Sequence, residues 1–515
     1  MRLLRGVADV AEPVDAGDLK SSAARRAGSS PAVRTTMFAL MLALAGCSAQ
    51  PDDAAIEASA IGGPAEFADP SRGPIDTPAR LLLDSTAQGL VRFDANGQIE
   101  AGLAERWIVI DEGRSYIFRL RQTEWADGSP VTADQVVRVL RRAVAENSRN
   151  ALAPFLAVVD EIVEMTPQVI EVRLKRPRPG MLSLLAQPEL AIWGPGKRGG
   201  TGPFRIRPSK PPGVLLRAMA DPSLPSEDAE RATGPEKSVR LHGERAALAL
   251  ARFVRHKSDL VTGGTFADWP LIDIANVPPA AIRIDPAQGL FGFAIVEREG
   301  FLADAVNRAA LAMAVDRSAL TLAVRPQWLP SEQILPATLD SAMPPMMPDW
   351  ANLPLDQRRA TARDRVAAWV RAHGDAPQVR LALPAGPGAA SLWRHMRDSF
   401  RAIGVIAVRV SPEEDADLRL VDAVAPYDSG RWYLVTACRL CSDDVAMRIE
   451  AARDAPTLEA RAHRIAEADA ALTADAAFIP IAQPLRWSAV APRLTQWREN
   501  SRAWHPLNRL RDDPR

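Results

Sequence analysis

The chain has 515 residues, 63 basic and 63 acidic side chains, 47% hydrophobic and 5% aromatic residues, and three cysteines. At roughly 150 residues per domain this allows two to four lobes around a substantial core. Zero formal net charge excludes a nucleic-acid binder relying on a bulk basic field, three cysteines exclude a disulfide scaffold, and no Cys/His cluster has zinc-finger spacing.

Met37–Ala45 reads MFALMLALA. This apolar run suits a signal-peptide core and falls well short of the ~18 residues that a membrane span needs. It ends in Leu44-Ala45-Gly46-Cys47, small residues before a thiol, and resembles a bacterial lipobox with Cys47 as the lipidated residue. The other reading is a buried apolar segment holding a cysteine. Upstream, Ala11–Thr35 has neither helical nor alternating periodicity and is similar to a transfer-RNA gene read in frame. Translation is therefore expected to begin near Met37, with 1–36 spurious, 1–46 the signal region and 47–54 a polar tether.

Ile56–Ile61 predicts a strand, broken by Gly62-Gly63-Pro64. Asp76 opens a predicted helix over 76–89. Asn96-Gly97 between Val91–Phe93 and Ile99 predicts a hairpin, and Trp107–Ile110 and Tyr116–Leu120 alternate around a turn at 111–114. Thr132, with Gln135 three residues on, forms a capping box before a helix over 135–143.

The same stretch carries Gly89-Leu90-Val91, Gly102-Leu103-Ala104-Glu105-Arg106-Trp107, Tyr116-Ile117-Phe118-Arg119-Leu120-Arg121 and Trp125-Ala126-Asp127-Gly128-Ser129-Pro130-Val131-Thr132-Ala133-Asp134. In this order and spacing the residues resemble the family 5 extracellular solute-binding proteins, the peptide- and nickel-type receptors of bacterial ABC importers. Thr201-Gly202-Pro203-Phe204, Ser258-Asp259-Leu260, the helix over 301–317 ending Ala314-Val315-Asp316-Arg317, and the helix over 354–374 extend the match. So do a βαβ unit over 378–410, a helix over 458–472 and the strand Phe478–Ile481. The resemblance runs from about Ile56 to Trp497.

That resemblance implies an α/β, two-lobed periplasmic binding protein of type II, cluster C-like, with mixed sheets, a hinge and an extra subdomain. Lobe I would comprise 54–76, 191–283 and 481–515, its subdomain 77–190, and lobe II 284–480. The implied role is a monomeric, lipid-anchored periplasmic receptor that captures an oligopeptide between its lobes. It would deliver the peptide to an ABC permease and its ATPase, with no cofactor, no covalent chemistry and no nucleic-acid partner. The rival readings are a sensory or scaffold lipoprotein that keeps the fold, and a periplasmic enzyme using Cys438-Arg439-Leu440-Cys441.

The ligand segment departs from the family pattern. Where many relatives carry an aromatic-rich, acidic stretch, this chain has Tyr433–Asp444, entered through Trp432–Ala437, which reads as an apolar strand. By the resemblance, Asp443 or Asp444 would pair with the α-ammonium group of a peptide. The alternative is that Ser442-Asp443-Asp444 caps a helix over 445–452. Phe266 and Trp269, after Gly263-Gly264, and Trp432 are candidate ligand contacts, with ordinary packing as the alternative. In an oxidising periplasm, with the third cysteine lipidated, Cys438 and Cys441 are expected to form a local disulfide. A metal site there would need two further soft ligands, and a redox site a thioredoxin-like setting. The six histidines show no metal-ligand spacing, so no metal is expected.

Overall fold

The computed structural model describes residues 54–511 apart from 195–198, 209–211, 220–232, 235–236 and 338. The signal region, Cys47 and the tether up to residue 53 lie outside the described residues.

Each lobe is built on its own sheet. The first has seven strands, in the order Ile282–Asp285, Arg486–Val490, Leu260–Thr265, Ile56–Ile61, Val239–Glu244, Val214–Ala218, Phe204–Arg207. Ile56–Ile61 lies central and parallel to both neighbours; its Ile56, Ala58 and Ala60 face is small and apolar, while Glu57 on the other face pairs with His242 and Arg240. Its one fully buried polar side chain, Ser59, bonds Glu244 at 2.5 Å and Ser258 at 3.1 Å. A four-stranded antiparallel sheet, Ala104–Ile110, Ser115–Leu120, Val169–Leu174 and Val159–Thr166, forms the extra subdomain. The helix Ala133–Val144 covers it with Val136, Val137, Leu140 and Ala143. The capping box is present, with the Thr132 amide donating to Gln135 Oε1 at 3.1 Å, and the helix starts two residues earlier than its pattern predicts.

The second lobe's sheet has five strands, Ile406–Val410, Gln378–Ala382, Leu418–Val424, Gly289–Ile295 and Phe478–Ala482. Gly289–Ile295 is buried at every position. The parallel strands over 378–382 and 406–410, joined by the helix Pro387–Arg401, complete the βαβ unit. The chain passes between the two large sheets twice, at 286–288 and at 483–485. These crossings are tied together by the Gly289 amide donating to Gln483 Oε1 at 3.1 Å.

One element differs in kind from its sequence expectation. Trp432–Ala437 is not a strand; it belongs to the helix Gly430–Ala437. Seven of that helix's eight residues are buried, so it shows no helical stripe, and an unbroken apolar run imitates a buried strand.

Candidate functional site

Two seams join the lobes, and they differ in chemistry. At the first, the strand Leu260–Thr265 ends against the start of the helix Pro387–Arg401. The Gly388 amide donates to the Ala267 carbonyl at 2.9 Å. A Cβ on Gly388 would lie 1.9 Å from the Phe266 carbonyl oxygen, so only glycine permits this approach. Behind the contact, the Phe266 ring meets Phe291 at 4.8 Å, and Phe291 meets Trp328 at 4.9 Å. Trp328 Nε1 donates to the Gln483 carbonyl at 2.7 Å, so this aromatic stack ends on one of the two crossings.

Charge enters the first seam from both lobes. Burial pushes the Asp268 carboxyl above its ordinary pKa, opposed by the Thr265 hydroxyl. Trp269 packs edge-on against Trp487, 6.5 Å between ring centres. The Arg325 guanidinium of the second lobe sits 5.8 Å over the Trp269 ring, with its pKa lowered by burial. Beside the crossings, Arg486 binds Asp422 Oδ1 at 2.7 Å and the Asp422 carbonyl at 3.0 Å. Burial still holds the Asp422 carboxyl above its usual range despite that cation.

The second seam is the loop over 425–429, between the strand Leu418–Val424 and the helix Gly430–Ala437. Arg502 donates to the Ala425 carbonyl at 3.2 Å and to Asp428 at 2.6 Å, and Gln187 donates to the Pro426 carbonyl at 2.6 Å. The Tyr427 ring packs on Phe155 at 5.8 Å, and Gly180, at φ 70°, lies against its face. Behind Tyr427 the side chains of Arg178, Arg431 and Arg461 are all buried.

The sequence-predicted site residues are distributed as follows. Phe266 and Trp432 are 2% and 5% exposed, the first in the aromatic stack and the second edge-on to Tyr433 at 4.9 Å. Trp269 is half-buried at the first seam. Asp443 and Asp444 are exposed in the first turn of the helix Asp443–Asp454, with Ser442 as its N-cap, and Asp444 binds Arg448 at 2.8 Å. Cys438 and Cys441 are joined as a disulfide directly before that helix. The structure thus brings Phe266 and Trp269 together on one turn and leaves the two aspartates on an exposed element. His242 bonds Glu57 at 2.7 Å and His505 bonds Asp285 at 3.1 Å. Among the described residues no group of His, Cys, Asp or Glu is arranged to hold a metal ion.

A two-lobed frame with two crossings and glycine-tight lobe contact invites comparison with known binding proteins. The model of the bacterial extracellular solute-binding proteins, family 5, matches residues 98–425. The chain belongs to that family. The probable deoxycholate-binding periplasmic protein YgiS of Escherichia coli K12 is 34% identical over 140 residues, 24% of this chain and 26% of that protein. The periplasmic oligopeptide-binding protein OppA of the same strain is 32% identical over 119 residues, 20% of this chain and 22% of that one. The matched stretches span about a quarter of these relatives' own lengths. Among solved structures, Haemophilus influenzae OppA in complex with RPPGFSPFR aligns with a TM-score of 0.73 at 16% identity, covering 89% of this chain and 99% of that one. The Escherichia coli murein tripeptide binding protein MppA aligns at 0.74 and 18% identity, covering 88% and 98%. The family 5 fold therefore extends well beyond the segment in which sequence identity is detectable. The two curated relatives are both named as periplasmic binding proteins.

In this family 5 chain, several seam residues gave no readable sequence signal. Gly386-Pro387-Gly388 opening a helix was the nearest to one, because a glycine pair there marks close backbone approach. Tyr427, Arg178 and Arg431 had none, since buried arginines are rare and these come together only through the fold.

Proposed function

We propose that this chain is a lipid-anchored periplasmic receptor that holds an oligopeptide between its lobes and delivers it to an ABC permease and its ATPase. The observation that carries the reading is the first seam. Backbone meets backbone there without an intervening side chain, and Asp268 and Arg325 stand on opposite lobes beside an aromatic wall. Opposite charges on the two lobes suit a zwitterionic, main-chain-rich ligand. A solute that touches both lobes selects the closed arrangement through differential contacts. The peptide class is further supported by the peptide-bound OppA structure with the same fold.

A thermal-shift screen of di- to hexapeptides, sugars and metal chelates tests it. A binder at a hundredfold excess over its Kd stabilises the folded chain by about 2.7 kcal/mol, and peptides are the class expected to do so. A shift from sugars or chelates with none from any peptide overturns the peptide assignment. The anchor rests on Leu44–Cys47: Cys47→Ser is expected to release the protein from membranes, because serine cannot form the thioether. Continued membrane partition of that variant overturns it.

A further inference from the structure

The second seam holds more positive charge than its neighbours neutralise. Arg461 is fully engaged: Nε bonds Asp340 at 3.2 Å, Nη1 the Ala452 carbonyl at 3.0 Å, and Nη2 the Ser429 hydroxyl at 2.8 Å. Asp340 is committed as well, accepting from the Gly430 amide at 2.6 Å. Arg178 gives Nη2 to the Phe155 carbonyl at 3.3 Å, and its Nε has no partner. Arg431 has no hydrogen-bond partner at Nε or Nη1. The nearest carboxylate to it, Glu450, stands 3.6 Å from Nη2, is half in solvent, and also pairs with Arg453. Asp454, the next acid along, is taken up by Arg176 at 3.0 Å and Arg453 at 2.9 Å. The Tyr427 hydroxyl, beside Arg178, is likewise without a partner at hydrogen-bond geometry.

Arg431 is 3% exposed and Arg178 4%. Burial, then repulsion from Arg178, lowers the Arg431 pKa to about 10, which leaves the side chain charged at neutral pH. A buried guanidinium with free N–H groups is costly unless something pairs with it. The unpartnered donors also come from both sides of the seam. Arg178 follows the strand Val169–Leu174 of the subdomain sheet, whereas Tyr427 and Arg431 belong to the second lobe.

We propose that Arg178, Arg431 and the Tyr427 hydroxyl form a binding site for an oxyanion, which bridges the subdomain and the second lobe and favours their closed arrangement. Planar guanidinium groups match carboxylate, sulfate and phosphate oxygens, often by two parallel bonds. The anion is either a carboxylate of the bound solute or a small inorganic ion. The solute source rests on the receptor reading above; the inorganic source does not.

The test is a thermal-melt titration at fixed ionic strength in sodium chloride. The additions are sodium sulfate, sodium phosphate, sodium acetate, trialanine and trialanine C-terminal amide. Wild type is expected to show a saturable rise in Tm with at least one oxyanion, and Arg431→Met to lose at least tenfold in half-saturation while already melting higher than wild type without oxyanion. Arg431→Lys, which keeps the charge without the fork, should fall between them. A response to trialanine that its amide lacks assigns the site to the solute's carboxylate. A response to sulfate or phosphate with no such difference assigns it to a free ion. Equal responses of wild type and Arg431→Met to every oxyanion overturn the site. If Arg431→Met does not fold, Arg178→Met replaces it. Equilibrium dialysis of labelled sulfate and labelled trialanine against wild type then reads occupancy directly, and binding of neither overturns the site. Failure of all peptides with retained sulfate binding removes the peptide reading and leaves the anion site standing.

Discussion

The two seams place opposite demands on side chains. At the first, closeness matters: Gly388 and the carbonyls of Phe266 and Ala267 meet with no side chain between them. At the second, charge matters: three buried arginines face Asp340 and the half-exposed Glu450. A seam made by backbone approach is complete in itself and limits how far the lobes can close. One with unpaired donors is complete only when a ligand arrives, so the second is where selection of an anionic group would act.

The largest effect that separates them is expected from Arg461→Met. It removes the one fully satisfied guanidinium of the charged seam; Asp340 keeps the Gly430 amide at 2.6 Å and the Ser429 hydroxyl at 3.4 Å but loses its buried cation. Breaking a buried pair from one side costs about 3–5 kcal/mol. Denaturant unfolding should show that loss, and a change below about 1 kcal/mol would mean that water already serves these groups.

Asp469 sharpens the contrast, because it lies on the same helix as Arg461 and is strained without being part of a seam. Its carboxyl accepts from the Met346 amide at 2.8 Å, its other oxygen has no partner, and burial raises its pKa to about 6. A carboxyl whose folded pKa exceeds its unfolded value adds stability below the unfolded pKa of about 4, and this is lost as pH rises through about 6. Asp469→Asn is therefore expected to stabilise the protein at pH 7–8 by up to about 3 kcal/mol, with no gain below about pH 4. Melting across that range checks the sign; destabilisation at pH 7–8 that vanishes below about pH 4 would show that the charged form is needed.

Gly388→Ala probes the neutral seam. Overpacking costs about 1–3 kcal/mol, which here falls on the closed state. Solute affinity should drop by roughly five- to a hundredfold while the melting temperature of the free protein changes little. Calorimetric titration reads the affinity, and an unchanged Kd would show that this contact is absent from the bound form.

The smallest effects belong to Asp443→Asn and Asp444→Asn. As exposed first-turn acids they interact with the helix dipole, and Asp444 also pairs with Arg448 four residues on. Each should lower stability by about 0.3–1 kcal/mol and leave solute affinity within about twofold. A larger affinity loss would return them to the ligand.

Much of the frame was legible because its signals are local. The Ile56–Ile61 strand, the Thr132–Gln135 capping box and the βαβ unit over 378–410 each combine pattern with punctuation over a few residues. The helix Gly430–Ala437 was misread because burial on nearly every side erases the periodicity that distinguishes helix from strand. The charged seam was illegible for another reason. Arg178 and Arg431 lie 253 residues apart, and nothing near either one marks it as buried. Asp443 and Asp444 stood out in the sequence because acidic pairs are conspicuous, yet an exposed helix start uses the same residues.

In the proposed receptor the lobes close over a peptide until the glycine-tight contact forms. Small-angle scattering of the mature chain, with and without a saturating peptide whose binding calorimetry has confirmed, tests it most directly. A smaller radius of gyration is expected for the wild type with peptide, and no contraction for Gly388→Val. Peptide bound in the wild type with an unchanged scattering profile would contradict it.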